Sequence, residues 1–249
     1  MSKVVFITGG TSGFGKEMAK IFAKDGYRVV VTGRRDERLQ DLKDELKDFD
    51  IYTLKFDVRN KEEVDRAINS LPERYKNIDI LINNAGLALG LEKSPEASID
   101  DWEVMIDTNI KGLLYITKAI LPIMVERKKG YIFNIGSTAG NWPYEGGNVY
   151  GATKSFVQQF SFNLRTDLKG TNIRVTNLEP GMAKTEFSNV RFKGDSKKAD
   201  SMYEGIKPLL AEDIAHLIFT LSKLPEHVNV NSLEVMPTCQ SYGPLVVEK

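Results

Sequence analysis

Val4-Val5-Phe6-Ile7-Thr8-Gly9-Gly10-Thr11-Ser12-Gly13-Phe14-Gly15 is the stretch on which the rest of the chain depends. Four apolar residues suit a strand covered on both faces. The glycines behind them permit a tight turn that brings backbone N–H groups against a pyrophosphate. The helix expected next points its N-terminal dipole at the same place. The spacing Gly9-x3-Gly13-x-Gly15 departs from G-x-G-x-x-G, and a plain tight turn could use the same glycines. The strand before and the helix after supply the context that such a motif requires. They make Gly9, Thr11, Ser12, Gly13, Phe14 and Gly15 candidate dinucleotide contacts.

Outward from this turn the pattern repeats. Apolar or β-branched runs at Val4–Ile7, Val29–Thr32, Ile51–Phe56, Ile80–Ile82, Tyr131–Ile135, Arg174–Leu178 and Leu233–Val235 predict strands. Amphipathic stretches lie between them, as in β/α units around a parallel sheet. Met18, Ile21 and Phe22 share a helical face that Gly26 would end, and Leu39, Leu42 and Leu46 repeat at helical spacing. Ser98 is a candidate N-cap for a helix carrying Trp102, Met105 and Ile106, and Ala211–Leu224 is the last long helical pattern. No repeat, low-complexity tract or linker divides the chain, so one α/β domain is expected over 1–249. Residues 185–208, rich in Lys, Ser, Asp and Gly, are the least regular and are expected to form a substrate loop over the site.

Composition narrows the class. Thirty-four basic and thirty-four acidic residues cancel, so the broad positive field of a nucleic-acid binder is not expected. A single cysteine, Cys239, excludes an intramolecular disulfide and suits a reducing compartment, so a cytoplasmic enzyme is expected. The apolar run after Met1-Ser2-Lys3 is too short for a signal peptide, and no stretch has the length to span a membrane. The two histidines, His216 and His227, are far apart in sequence and from the cysteine, so no metal site is expected.

The end of the second strand speaks to the dinucleotide. An NAD enzyme usually places a carboxylate there for the ribose 2′-hydroxyl. This chain has Gly33 followed by Arg34 and Arg35, whose planar forks suit a 2′-phosphate, so NADP(H) is the expected cofactor. Two solvated arginines before a helix are the plainer alternative.

The fifth strand runs into Ser137, and Tyr150-Gly151-Ala152-Thr153-Lys154 follows. On a helix Tyr150 and Lys154 share a face. A tyrosine with a pKa near 10 is a poor base at neutral pH, and a neighbouring ammonium is expected to lower it. A serine hydroxyl could hold the substrate oxygen while the tyrosine exchanges its proton.

With these residues in place, the chain resembles the short-chain dehydrogenase/reductases over nearly its whole length. The motifs in family order are Thr8–Gly15, Asn83-Asn84-Ala85-Gly86, Asn109, Ser137, Tyr150 with Lys154, and Pro180-Gly181. The resemblance implies a Rossmann-like, doubly wound, parallel seven-stranded sheet with helices on both faces. It implies a catalytic set of Asn109, Ser137, Tyr150 and Lys154, with Asn109 bending its helix and holding a water in the proton relay. Lys154, beside Tyr150, would also bond the nicotinamide ribose. Asp57 and Val58 would contact adenine, Asn84, Ala85 and Gly86 the ribose side, and Pro180, Gly181 and Thr185 the nicotinamide and phosphates. Ala183 replaces the valine or isoleucine of many members, at a contact made by backbone atoms.

Asn83–Leu91, Gly136–Thr153, Thr185–Gly194 and Leu233–Tyr242 further resemble the NADP-dependent 3-hydroxy acid dehydrogenases that act on serine and allo-threonine. That implies oxidation of a 3-hydroxyl in a small acid, or reduction of the matching 3-oxo acid, by a homotetramer. Such a substrate asks for a cation, and Arg191 is the candidate beside Ser137 and Tyr150, a surface arginine or subunit contact being the alternative. Trp142 and Tyr144 could line the pocket or pack a subunit interface, and Cys239 is expected to be inert. A 3-oxoacyl thioester or general carbonyl reductase is the rival enzyme reading, though no basic docking patch is evident. A cofactor-sensing protein without catalysis would be expected to lack Tyr150 or Lys154, and both are present.

Overall fold

All seven apolar runs form strands in the computed structural model, which describes residues 2–243 and Val247. The remaining ends of the expected 1–249 domain lie outside the described residues. β1 (Val4–Ile7) passes through the glycine turn into α1 (Gly13–Lys24). Then come β2 (Arg28–Gly33), α2 (Asp36–Glu45), β3 (Ile51–Lys55), α3 (Lys61–Asn69) and the single turn α4 (Glu73–Lys76). β4 (Ile78–Asn83) and α5 (Ile99–Ile106) lead through a π-helical turn (Asp107–Gly112) into α6 (Leu113–Arg127). β5 (Gly130–Ile135), a 3-10 turn (Thr138–Gly140) and α7 (Asn148–Asp167) follow. The chain then forms β6 (Ile173–Pro180), α8 (Phe187–Arg191), α9 (Ser196–Ser201), α10 (Ala211–Ser222) and β7 (Ser232–Val235).

The strands lie in the order β3-β2-β1-β4-β5-β6-β7, every pair parallel. Strand side chains alternate between faces, which divides the core in two. Val5, Ile7, Val29 and Val31 pack with Met18 and Phe22 of α1, Leu39 and Leu42 of α2, and Ile214 and Ile218 of α10. Val4, Phe6 and Val30 face the other way, against Val64 and Ile68 of α3, Ile116 and Ile120 of α6, and Leu164 of α7. The central strands β1, β4 and β5 are buried on both faces, as their continuous apolar runs predict, while the edge strands β3 and β7 are half-buried.

Two boundaries differ from expectation for visible reasons. β4 begins at Ile78 rather than Ile80, and its register against β1 slips between Val4 and Val5. Asp79 is the cause: its buried carboxylate accepts from the Val4 backbone N–H at 2.9 Å and from Arg127 at 2.8 Å, a tertiary pairing that lets a charge enter a strand. Residues 185–208, expected to be irregular, hold the short helices α8 and α9, the second capped by Asp195 accepting from the Lys198 N–H.

The connections from β1 and β4 leave in opposite directions along the sheet. The crevice above their C-terminal ends is where an open α/β sheet binds ligand.

Candidate active site

The glycine turn is fixed from below. Gly9 (φ +66°) and Gly13 (φ +51°) take left-handed conformations that side chains rarely adopt. A Cβ on Gly15 would lie 2.5 Å from the Gly9 carbonyl oxygen and 2.6 Å from Asn84 Nδ2, so α1 can start this close to the turn only with glycine there. The Thr8 hydroxyl accepts from the Asn84 and Ala85 backbone N–H groups, both at 3.0 Å. Asn84 Nδ2 donates back to the Thr8 and Gly9 carbonyls at 2.9 and 3.0 Å. The Asn84 amide nitrogen is therefore engaged with the turn. Every sequence-predicted site residue except Gly15 and Asn109 lines one cleft of about 510 Å³, a size that suits a cofactor and a small substrate.

One end of the cleft is built for an anion. Arg35 presents its fork to Glu186, Nη1 to Oε1 at 3.1 Å and Nη2 to Oε2 at 2.8 Å. Its Nη2 also donates to the hydroxyls of Thr11 (3.0 Å) and Ser12 (3.1 Å). Arg38 adds a second guanidinium, 2.5 Å from Glu186 Oε1. Burial alone would raise the Glu186 pKa, but hydrogen bonds from Arg35, Arg38 and Ser12 outweigh it and hold the carboxyl at about 2. A carboxylate seated among two guanidiniums and a hydroxyl shows that this donor set accepts an anion, and so fits the 2′-phosphate of NADP(H). Arg34 is more exposed, 3.7 Å from Asp57 Oδ2. The Asp57 carboxylate is occupied by Arg59, whose Nε and Nη2 donate at 3.0 and 2.7 Å. Burial would raise the Asp57 pKa, and Arg59 lowers it further than burial raises it.

At the other end Ser137 follows β5 with its Oγ accepting from the Ala139 N–H at 3.1 Å. Tyr150 and Lys154 stand one turn apart on α7, both buried. Asn109 lies in the π-helical turn between α5 and α6, a bend of the kind the resemblance implies. Its Oδ1 accepts from the Leu87 N–H (2.9 Å), and its Nδ2 donates to the Leu87 carbonyl (2.8 Å) and the Thr153 hydroxyl (3.0 Å). Asn109 Oδ1 and Lys154 Nζ flank Gly86, at 3.3 and 3.4 Å from where its Cβ would be.

The electrostatics correct one expectation. Lys154 Nζ donates to the Ile135 carbonyl at 2.8 Å and lies 5.8 Å from the Tyr150 ring centroid. Burial pushes Tyr150 up to about 12, against the lowering effects of the Ser137 hydrogen bond and the Arg191 charge, and pushes Lys154 down to about 8. Desolvation of the phenol thus outweighs the help expected from the lysine.

Arg191 sits over this pair, its guanidinium 5.1 Å from the Tyr150 ring centroid and 5.6 Å from that of Phe187. Its Nη2 donates to the Tyr144 hydroxyl at 2.5 Å, and its buried Nε has no partner among the described residues. Tyr144 lines the cleft. Trp142 does not; its indole N–H donates to Glu234 at 2.8 Å. Cys239 is only weakly engaged, 3.7 Å from the Lys207 carbonyl. Sequence reasoning missed Arg38, Arg59 and Glu186. Arg38 was findable, since it follows Arg35 by three residues at the start of a predicted helix.

The model of the short chain dehydrogenase family matches residues 3–196. The chain is 58% identical over 247 residues to the NADP-dependent 3-hydroxy acid dehydrogenase YdfG of Escherichia coli O6:H1, covering 99% of each. It is 50% identical to sulfoacetaldehyde reductase 2 of Chromohalobacter salexigens, over the full length of both. Among solved structures, the closed form of a serine dehydrogenase complexed with NADP⁺ matches with a TM-score of 0.95 and 57% identity, covering 99% of each chain.

Proposed function

The chain belongs to the short-chain dehydrogenase family, and on that premise we propose an NADP(H)-dependent oxidation of the 3-hydroxyl of small 3-hydroxy acids, with reduction of the matching 3-oxo acids in reverse. The observation that carries the substrate class is Arg191, a half-buried cation over Tyr150 whose buried Nε leaves a donor to spare. Sulfoacetaldehyde, named for one relative, and the 3-oxo acids share a frame in which one carbon separates the reacting carbonyl from the anionic group. A fork above Tyr150 suits either anion. A neutral ketone or an acyl thioester would leave the same fork without an anion.

NADP⁺, when bound, accepts the hydride, and NADPH supplies it in reverse; Gly9–Gly13, Arg34, Arg35, Asp57, Val58, Ala85 and Pro180–Thr185 would hold it along the cleft. Ser137 holds the substrate oxygen. Tyr150 retains its proton at neutral pH and so stands ready as the acid toward an oxo acid. In oxidation the charge on Lys154 must favour the phenolate. Asn109 pins Leu87 and Thr153, which keeps the first turns of α7 in place beneath Tyr150.

The test is NADPH formation with L-serine, L-allo-threonine and 3-hydroxypropionate, each repeated with NAD⁺. Turnover with NADP⁺ and little with NAD⁺ is expected. Activity on a bulky neutral ketone alone would discard the acid while keeping the site. Arg191→Ala should raise the KM for the acid about tenfold to a hundredfold, the worth of a charged hydrogen-bonded pair. An unchanged KM removes Arg191 from the substrate site.

We place the enzyme in the cytoplasm, where a chain with one cysteine needs no disulfide. No helix among the described residues is long and apolar enough to cross a membrane. A homotetramer is the assembly we propose, supported by the apolar side chains Ile99, Ile106 and Val125 left exposed on α5 and α6, and sedimentation tests it.

A further inference from the structure

We propose that Glu186 is a stand-in for the cofactor's 2′-phosphate: it competes for the fork of Arg35, so that entry of the phosphate unfastens the substrate loop at the residue before α8. The inference rests on the reading of Arg35 as a 2′-phosphate ligand.

The geometry carries it. Both Glu186 oxygens are held by Arg35, and one of them also by Arg38. The same Arg35 nitrogen binds the hydroxyls of Thr11 and Ser12, which belong to the glycine turn. A planar fork backed by a second guanidinium and hydroxyls is the arrangement that a phosphate ester recruits. Here a side chain 151 residues away from Arg35 fills it. Two anions cannot share one bidentate fork without strong repulsion, so phosphate and carboxylate exclude one another there.

What Glu186 releases matters as much as what it blocks. It is the N-cap of α8 (Phe187–Arg191), the helix whose first residue packs on the Tyr150 ring and whose last residue carries the proposed substrate cation. Its neighbour Thr185 lies against the glycine turn, 3.3 Å from the place of a Cβ on Gly13. The Gly90 N–H donates to the Arg191 carbonyl at 3.0 Å, so the far end of α8 keeps its own anchor when the near end is freed. Exchange of carboxylate for phosphate at Arg35 therefore reaches α8 through one residue. Cofactors with and without the 2′-phosphate should differ in how they leave that helix.

The experiment is calorimetric binding of 2′,5′-ADP and of 5′-AMP to the full chain, as wild type, Glu186→Gln and Arg35→Ala. Glu186→Gln should bind 2′,5′-ADP about fivefold more tightly, since a partly exposed ion pair no longer competes, and should leave 5′-AMP unchanged. Glu186→Asp, shorter but still anionic, should fall between wild type and Glu186→Gln. Unchanged or weakened 2′,5′-ADP binding in Glu186→Gln overturns the competition. Arg35→Ala separates the two layers of the reading. If it abolishes the preference for 2′,5′-ADP while Glu186→Gln changes nothing, the phosphate site stands and the competition falls. If the preference survives Arg35→Ala, the phosphate lies elsewhere and both fall.

Discussion

At the catalytic pair burial outweighs neighbouring charge, whereas at Glu186 and Asp57 the arginine partners outweigh burial. Tyr150 retains its proton to about pH 12 and Lys154 titrates near 8. The sign follows directly: reduction needs a protonated Tyr150 and a charged Lys154, so kcat/KM toward an oxo acid should hold below about pH 8 and fall above it. Lys154→Arg, whose charge does not titrate in that range, should lose the falling limb even if its rate is lower. A profile that still falls near 8 in that variant would assign the limb to another group. Tyr150→Phe should keep the fold and lose at least about a hundredfold in kcat, the usual worth of a positioned acid–base group, which steady-state rates would read. Only part of this was legible. Tyr150 and Lys154 are a local pair and declare themselves by spacing, whereas their desolvation depends on α8 and on residues 144 and 187, which no spacing near Tyr150 encodes.

At the scale of elements, backbone geometry carries the cofactor end. Gly15→Ala would drive a Cβ into the Gly9 carbonyl, and a backbone atom cannot step aside as a flexible side chain can. A cost of about 1–3 kcal/mol is expected, together with weaker NADP⁺ binding, seen in thermal unfolding with and without cofactor. Gly26→Ala is the contrast. Its φ of +80° makes alanine strained, but nothing lies within 4 Å, so about 1–2 kcal/mol of stability should be lost with cofactor affinity intact. The strands, the glycine turn, the Gly26 stop and the Ser98 cap could all be read from sequence because each is settled within a few residues. The slipped start of β4 could not, because Asp79 is tolerated only through Val4 and Arg127, far away in sequence. Glu186 is the same case at the site: Thr185-Glu186-Phe187 at the start of the substrate loop says nothing of Arg35 until the fold brings them together.

The whole molecule is two apolar layers on one sheet, and each layer is tied across its helices. Phe22 of α1 meets Tyr27 edge-on at 5.0 Å and Phe219 of α10 at 5.4 Å, joining the start of the chain to its last long helix. Phe22→Ala should cost about 3–5 kcal/mol, read by denaturant unfolding, and should act on the domain as one cooperative unit. The order of the strands has a different kind of consequence. The crevice above β1 and β4 is a seam between two lengths of chain. The arginines and hydroxyls of the anion end lie before β3, and Asn109, Ser137, Tyr150 and Lys154 all lie after β4. A crossover after Asn60 would therefore let a lineage inherit its 2′-phosphate recognition from one parent and its chemistry from another. Glu186, like Asn84 beneath the glycine turn, is a residue at which such a chimera would have to be re-matched, because it belongs to the second parent and grips the first.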